Sequence, residues 1–465
     1  FLFNLVFKAK YDIIVKQKEV KSKMKVLLIN PPSQGIYYRL GLTLPPLGLA
    51  YLASFLRQKG HEVAIMDLNI TKTDLDKFPW RQWEIVGISG DTSRHLKVME
   101  IARKAKNNGL TVVAGGPHVS FCDEEALRSG SVDFVVRGEG EEIFSELVAA
   151  LELKEDPKKV RGISFLEEGN LYRTPPKEPP RILDELPLPA RDLLPMKEYN
   201  RTKLNERPLT TMVTSRGCPY RCAFCSSSHF SGTRWRFRSV ENIVEEIKGI
   251  TDRFGFKAFA FMDDNFTFSP KRVFRFASEI IRQKIDIYWW CFSRADTIIK
   301  NEAMVEEMFR AGARMVFLGI ESVNQRVLDS YNKGFTSDMT RKAVEILKRN
   351  GIRVWGSFVL GAPDDTKETI RQTVDYACSL DLDIAEFSIL TPFPGTKLFR
   401  EAKEKQYIVS YDWSRYDGAH AVMALPELSP RDVAQETIRA YLKFYGRLSR
   451  LPAAFDGLKK ILKPA

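Results

Sequence analysis

The sequence predicts an α/β protein made of two successive strand–helix series and a helical carboxyl-terminal region, and three observations carry that prediction. Short β-rich runs alternate with helical stretches over residues 24–153; the alternation resumes, with longer helices, from Leu209; and residues 174–208 between them hold eight of the chain's 24 prolines. That proline density excludes a long helix or a central strand, so the segment reads as a connection. At 465 residues, 44% of them hydrophobic, the chain is long enough for two to four domains and more than one core.

In the first series strands are expected at residues 26–30, 63–68, 85–89, 112–115 and 134–136, with helices such as 47–59 and 93–108 between them. Strands alternating with helices in this way form a doubly wound parallel sheet, whose ligands sit beyond the carboxyl ends of the strands. Those ends carry Asn30-Pro-Pro-Ser33, Gly90-Asp-Thr-Ser93, Gly115-Gly-Pro-His118 and Arg137-Gly-Glu-Gly-Glu141. Glycines let backbone approach a ligand, and Ser or Thr at a helix start can cap or donate. Any one of these stretches is equally well a tight turn; four on one edge point to a ligand. His95, at a helix start, reads as a capping or exposed residue, and His61 as a turn residue. Residues 162–173 read as a β-hairpin. The proline-rich connection reads as a surface segment that straps the first series over the mouth of the second.

In the second series strands are expected at 209–214, 258–262, 288–292, 315–320, 354–359 and 384–390, with helices near 240–253, 271–283, 301–311, 337–350 and 367–380. Directly after the first of these strands, Ser215-Arg-Gly-Cys-Pro-Tyr-Arg-Cys-Ala-Phe-Cys-Ser226 contains the pattern CxxxCxxC, formed by Cys218, Cys222 and Cys225. Three thiolates within eight residues can hold one face of an iron–sulfur cube. With no fourth cysteine nearby, one iron lacks a protein ligand. A structural zinc calls for four ligands, usually in two separated pairs. A disulfide reading leaves one cysteine over and needs an oxidising compartment. Cys122, Cys291 and Cys378 stand alone and read as small core or surface residues.

The cysteine spacing, with the aromatic Phe224 just before the third cysteine, resembles the signature of the radical S-adenosylmethionine (SAM) enzymes. The resemblance implies a [4Fe-4S] cluster on Cys218, Cys222 and Cys225, SAM chelating its open iron, reductive release of a 5′-deoxyadenosyl radical, and a second half folded as a partial (β/α)6 barrel. It also implies roles at the carboxyl ends of the second series. Asp263 or Asp264 accepts from the SAM ammonium, Arg294 pairs with its carboxylate, Glu321 and Ser322 meet the amino group or ribose hydroxyls, and the glycine-framed strand ending at Gly361 meets the adenine. Pro392-Phe-Pro-Gly-Thr396 shapes the rim.

The four loops of the first half, together with Leu44-Pro-Pro-Leu-Gly-Leu-Ala-Tyr-Leu-Ala53, resemble the Rossmann-like cobalamin-binding domain of the class B members of that family. This gives Ser33, Thr92, Ser93, Gly115, Gly116, His118, Gly138, Glu139 and Gly140 roles toward the corrin and its nucleotide tail. The DxHxxG motif by which other cobalamin enzymes supply histidine to cobalt is absent, and a sheet that has lost the cofactor and only packs on its neighbour is the alternative. The implied division is an extension (1–23), a cobalamin-binding domain (24–155), a hairpin and connection (156–208), a radical SAM core (209–396) and a helical region (397–465).

On this reading the protein functionalises an unactivated C–H bond, with methyl transfer to a hydrophobic, lipid- or tetrapyrrole-like substrate as the first outcome and oxidative-cyclase-type ring formation as the second. A methylthiotransferase carries a second three-cysteine set in its first half, whereas residues 1–217 hold only Cys122. A non-enzymatic cobalamin sensor has no use for an intact CxxxCxxC. The resemblance also implies an electron donor such as ferredoxin or flavodoxin. Six cysteines, three of them in one cluster motif, fit a reducing cytoplasm.

The net charge of +12 lies largely at the ends: residues 1–23 carry six basic and two acidic side chains and residues 439–465 seven and one, leaving +2 for everything between. A nucleic-acid channel spreads its basic groups over the folded body, so no nucleic acid is expected. No apolar run reaches the length of a membrane span. The apolar start lacks a basic flank and a cleavage site and is a poor signal peptide. Met24 directly precedes a strand-like run, so residues 1–23 read as an extension outside the fold. Near the carboxyl end Ala434, Ile438, Tyr441, Tyr445 and Leu448 share one helical stripe, and Phe455, Leu458, Ile461 and Leu462 share another beside Lys459, Lys460 and Lys463. The first helix is expected to dock on the barrel; the second suits either docking or peripheral contact with an anionic bilayer.

Overall fold

The computed structural model describes residues 24–33, 35 and 42–446, so the extension and the second basic helix lie outside the described residues. In the first half β1 (Lys25–Asn30), α1 (Leu47–Gln58), β2 (Glu62–Asp67), β3 (Ile85–Ser89), α2 (His95–Asn107), β4 (Thr111–Gly115), α3 (Asp123–Arg128), β5 (Phe134–Val136) and α4 (Gly140–Glu152) follow in order. The five strands are parallel, in the order β2-β1-β3-β4-β5. Side chains alternate between the faces: Val26, Leu28 and Val113 pack with α1 and α4, while Leu27, Ile29, Val86 and Ile88 pack with α2 and α3. Cover on both faces is why these strands read as nearly continuous apolar runs. The strand order reverses between β1 and β3, which opens the crevice where sheets of this kind bind ligands.

The hairpin forms as β6 (Ile163–Glu167) and β7 (Asn170–Arg173), turning through Glu168 and Gly169 at positive φ. It joins the first sheet rather than the connection, because β6 pairs antiparallel with β5, Phe134 opposite Phe165. The connection in turn is not the surface strap expected of it. Leu183, Leu186, Ala190, Leu194, Met196 and Tyr199 are buried, and the segment is wedged between the halves. On one side the Ala190 N–H donates to the Ala50 carbonyl (2.9 Å) and Tyr199 Oη to Asp67 (2.6 Å); on the other Arg191 donates to Glu246 (2.9 Å) and to the Thr211 carbonyl (2.7 Å). Recurring apolar residues between the prolines supply the burial that a surface segment would lack.

The second half contains β8 (Lys203–Leu204), β9 (Arg207–Met212), β10 (Ser215–Arg216), β11 (Arg236–Phe237), α5 (Val240–Phe254), β12 (Ala258–Phe261), α6 (Pro270–Arg282), β13 (Tyr288–Ser293), α7 (Glu302–Arg310), β14 (Ala313–Glu321), α8 (Ser337–Arg349), β15 (Arg353–Leu360), α9 (Lys367–Ser379), β16 (Ile384–Ile389) and α10 (Pro430–Tyr445). Its main sheet runs β16-β15-β14-β13-β12-β9-β8, with the six strands from β9 to β16 parallel and the ends not joined: a partial (β/α)6 barrel. Phe259, Phe261, Trp289, Val316 and Leu318 form the core with the outer helices. On the opposite face Phe292 stands beside Phe317, and Phe317 beside Trp355, in register across β13, β14 and β15.

Helix α10 docks, as expected, on β16 and α9. Its buried residues are Val433, Glu436, Thr437, Ala440 and Phe444, whereas Ile438 is 60% exposed, so the contact face is rotated from the stripe expected on Ala434 and Ile438. The buried Glu436 accepts from Arg371 of α9 (3.0 Å), which sets that rotation. Tyr441 Oη accepts from the Phe387 N–H (3.2 Å) and Tyr445 Oη donates to the Ala385 carbonyl (3.0 Å), so the helix also covers the open edge of the barrel sheet. No described helix is long and apolar enough to cross a membrane.

Candidate active site at the facing edges of two sheets

Beyond β9 the chain forms the narrow ribbon β10–β11, with Ser215 opposite Phe237, around the three-cysteine loop. Gly217 holds φ +82, and a Cβ there would fall 2.3 Å from the Arg234 carbonyl oxygen, so only glycine lets the loop close. Gly217→Ala is expected to cost about 2 kcal/mol or more and to lower iron retention after anaerobic reconstitution, read by urea unfolding and iron analysis. The loop is held by its backbone: the Cys218 N–H donates to Gly232 (3.2 Å), Cys225 to Cys222 (3.2 Å), Ala223 to Tyr331 (3.1 Å) and Leu398 to Ala223 (3.0 Å). Phe224 packs edge-on to Tyr331, centroids 4.8 Å apart, and wedges the loop against the barrel.

Cys222 is buried, and Cys218 and Cys225 are half-buried. Burial pushes the Cys218 thiol up to about 11 and the Cys225 thiol upward too, and Asp264 and the neighbouring thiols push both the same way. Among the described residues, the group of metal-ligating side chains tight enough to close on a single ion lies elsewhere, at His95. Three thiols on one loop, with no fourth cysteine beside them, are the donor set that an iron–sulfur cube with one open iron takes, whereas a structural zinc calls for four ligands.

The two adjacent acids part company. Asp263 is fully buried and accepts from the Thr214 N–H (2.6 Å), from Thr214 Oγ1 and from Ser215 Oγ (2.6 Å), fastening the end of β9 to the end of β12. Asp264 accepts from the Gly217 N–H (3.1 Å) and lines the main cavity. Burial, reinforced by Asp263, pushes the Asp264 carboxyl upward against the hydrogen bonds from Ser227 and Gly217. Asp263→Asn is expected to destabilise by about 3 kcal/mol, because an amide must sit where an N–H and two hydroxyls all donate. Asp264→Asn is expected to stay within about 1 kcal/mol of wild type; urea midpoints separate the two.

The other residues expected to meet SAM stand on the same carboxyl edge with protein partners. Arg294 donates to Asp296 (3.0 Å) and to the Lys333 carbonyl (2.5 Å), and its guanidinium lies 3.6 Å over the Tyr220 ring. Glu321, at φ +68 just past an irregularity in β14, pairs with the buried Lys333 (2.7 Å). Ser322 bonds Thr373 (3.2 Å), and the N–H groups of Gly361 and Ala362 both donate to Asp365 (3.0 and 2.9 Å). Lys333 gave no signal in the sequence, since nothing local marks a loop lysine as the partner of a strand-end glutamate.

Where the two carboxyl edges face each other lies a cavity of about 310 Å³. The first half contributes Gly115, Gly116, Gly138, Glu139 and Gly140 with apolar Leu52, Val136 and Phe144; the second contributes Ser215, Arg216, Met262 and Asp264. Gly138, at φ +80, has nothing among the described residues within 4 Å of an added Cβ, so this backbone cradle leaves room for a ligand. The Glu139 side chain lines this cavity and also joins the two halves. It accepts from Arg216 (2.8 Å) and Arg236 (3.1 Å), and Arg216 also donates to Glu141 (2.7 Å), so the carboxylate is a clamp between the halves. Burial opposes its charge, but the hydrogen bond from Arg236 and the two guanidinium charges outweigh it and hold the carboxyl below its ordinary range. Arg216 sits inside the cysteine stretch, yet its partners lie too far away in sequence to be read there.

Four of the expected cobalamin contacts lie outside this cavity. The Ser33 N–H donates to Asn69 (2.7 Å) beyond β1. Thr92 and Ser93 line a second cavity, about 290 Å³, with Pro117, Ser226, Phe393, Pro394 and Tyr416. His118 lines neither cavity: it is 1% exposed, its ring 4.1 Å from that of His95 and 4.8 Å from that of Trp413. Burial, with His95 adding, pushes its imidazole down to about 3. His95 is also corrected, being buried rather than exposed or capping; Asp91 caps the Arg94 N–H instead (3.2 Å) and the His95 ring turns inward.

The profile of the Radical SAM superfamily matches residues 212–377 and that of the B12 binding domain residues 35–148. An uncharacterized methyltransferase of Pyrococcus horikoshii is 39% identical over 432 residues, covering 91% of this chain and 93% of its own. The anaerobic magnesium-protoporphyrin IX monomethyl ester cyclase of Rubrivivax gelatinosus is 28% identical over 434 residues, 91% of this chain and 77% of the relative. The solved radical S-adenosylmethionine methyltransferase TsrM from Kitasatospora setae, with cobalamin and a [4Fe-4S] cluster bound, has the same fold, with a TM-score of 0.70 at 22% identity over 89% of this chain and 85% of that one. With a glycine cradle and the residues that flank the three-cysteine loop brought to one cavity, and a relative that matches along nearly its whole length, the chain belongs to the radical SAM enzymes that carry a B12-binding domain.

Proposed function

We propose that this enzyme transfers a methyl group to an unactivated carbon of a hydrophobic, lipid- or tetrapyrrole-like substrate. The observation that carries the reading is the single cavity walled by the glycine cradle on one side and by Ser215, Arg216 and Asp264, beside the cysteine loop, on the other. When bound, the cluster and SAM supply a carbon-centred radical for hydrogen abstraction and cobalamin supplies the methyl carrier. Cys218, Cys222 and Cys225 hold the cluster, and Asp264 takes the SAM ammonium. Gly115, Gly116, Gly138 and Gly140 let backbone approach the corrin and its tail. Arg294, Glu321, Ser322 and Gly361 complete the SAM pocket with their present partners as its second layer.

The half-buried aromatic row Phe292, Phe317 and Trp355, joined by Trp290 5.2 Å from Phe292, supports an apolar substrate, since it presents flat apolar faces inside the barrel. A protein of the ferredoxin or flavodoxin kind delivers the electron, and the basic tail gives peripheral membrane contact to a cytoplasmic enzyme. The cyclase relative favours a second reading, radical ring formation on a tetrapyrrole-like substrate.

The full chain, purified without oxygen and reconstituted with iron, sulfide and hydroxocobalamin, is reduced with SAM bearing a deuterated methyl group and offered lipid and tetrapyrrole pools. The expected result is a bound corrin, 5′-deoxyadenosine, and an apolar product heavier by one labelled methyl. Cluster without corrin removes the methyl-transfer reading, absence of 5′-deoxyadenosine removes the radical reading, and an unlabelled product short of hydrogen selects ring formation.

A further inference from the structure

We infer that His95, His118 and Glu125 form a binding site for a late first-row divalent metal ion such as zinc, separate from the cysteine loop, where the first sheet meets the carboxyl-terminal region. One ligand atom from each residue lies within 4.8 Å of the other two, and His95 Nε2 is 3.8 Å from Glu125 Oε1. Both histidines are almost fully buried, yet His95 Nδ1 and both ring nitrogens of His118 have no hydrogen-bond partner among the described residues. Buried polar atoms in folded proteins are nearly always bonded, and two neighbouring buried rings with orphaned nitrogens are explained most directly by an ion that takes one lone pair from each.

The donor set names the ligand. Two imidazoles and a carboxylate are a zinc-type set, whereas magnesium and calcium prefer oxygen throughout. A tetrahedral ion with bonds of about 2.0–2.1 Å holds its ligands about 3.3 Å apart, so the site closes by at most about 1.5 Å on loading. The half-exposed Glu125 side chain makes most of that movement. Its other function is already in place: Trp413 Nε1 donates to Glu125 Oε1 (2.8 Å), the outer-layer bond that orients a ligating carboxylate. Trp413 also packs edge-on against His118 and against Tyr416, which lines the second cavity. Metal at this site therefore locks the segment that walls that cavity onto the first sheet, leaving the fourth coordination position to water from the exposed side of Glu125.

The test uses the full chain carrying its cluster and cobalamin, equilibrated with zinc sulfate and desalted. Zinc is counted by elemental mass spectrometry, and its ligand shell is read by X-ray absorption at the zinc edge. One zinc per chain in a shell of nitrogen and oxygen is expected for wild type, and also for the cluster-free full chain with Cys218, Cys222 and Cys225 all changed to Ser. Glu125→Gln keeps an oxygen for Trp413 and removes the charge; it and His118→Phe are expected to lose the zinc, and Trp413→Phe to weaken it about tenfold. Should His118→Phe fail to fold, the exposed Glu125→Gln decides. Natively folded wild type that retains no zinc, equal retention by Glu125→Gln, or zinc that disappears only with the three cysteines overturns the assignment.

Discussion

Replacing Cys222 with alanine is expected to bring 5′-deoxyadenosine formation down to the uncatalysed background while leaving the fold in place. Cys222 is the most buried thiol of its loop, and the loop does not depend on sulfur for its shape. Four backbone hydrogen bonds and the Phe224–Tyr331 contact hold it against the barrel. Exchanging one small buried side chain for a smaller one is expected to cost about 1 kcal/mol, measured by urea unfolding of the metal-free protein. Removing one of three thiolate ligands, by contrast, leaves two irons without a protein ligand instead of one, and the cluster should not survive desalting. The check is iron content together with chromatographic assay of 5′-deoxyadenosine in the same preparation. A variant that keeps a full cluster and cleaves SAM would show that these cysteines are not the cluster ligands.

The second large effect is expected at the joint between the halves. Arg216→Met leaves Glu141 without its guanidinium partner and Glu139 with Arg236 alone, in a place where both carboxylates are nearly inaccessible to water. Breaking a buried ion pair from one side costs about 3–5 kcal/mol, because the remaining charge is neither hydrated nor paired. The pH dependence gives the loss its sign. The carboxyl of Glu139 is held below its ordinary range in the folded protein, so its contribution is complete above the unfolded value and disappears as pH falls through the lowered folded value. The stability gap between wild type and Arg216→Met is therefore expected to be widest at neutral pH and to narrow on acidification, as urea unfolding at a series of pH values would read. A gap that stays constant into acid would mean that Arg216 acts through packing over the Tyr51 ring, 5.2 Å away, and not through charge.

By itself the sequence determined both sheets, the hairpin, the three-cysteine loop and the glycine edge of the first half. Each of these is written by neighbours within a few residues: the period of apolar side chains, a turn that needs positive φ, the spacing of three thiols on one loop. Tertiary structure alone decided what each polar group at those edges does. Asp263 and Asp264 are adjacent and chemically identical, and only the approach of Thr214, 49 positions away, turns the first into a fastener and leaves the second to the cavity. Glu139, which lines the cavity, is also met by arginines 77 and 97 positions on, and Glu125, beside the two histidines, is met by Trp413, 288 positions beyond it. A charged group is assigned by whichever partner offsets its desolvation most fully, and that partner is chosen by how the chain folds in space and leaves no mark in the residues around it.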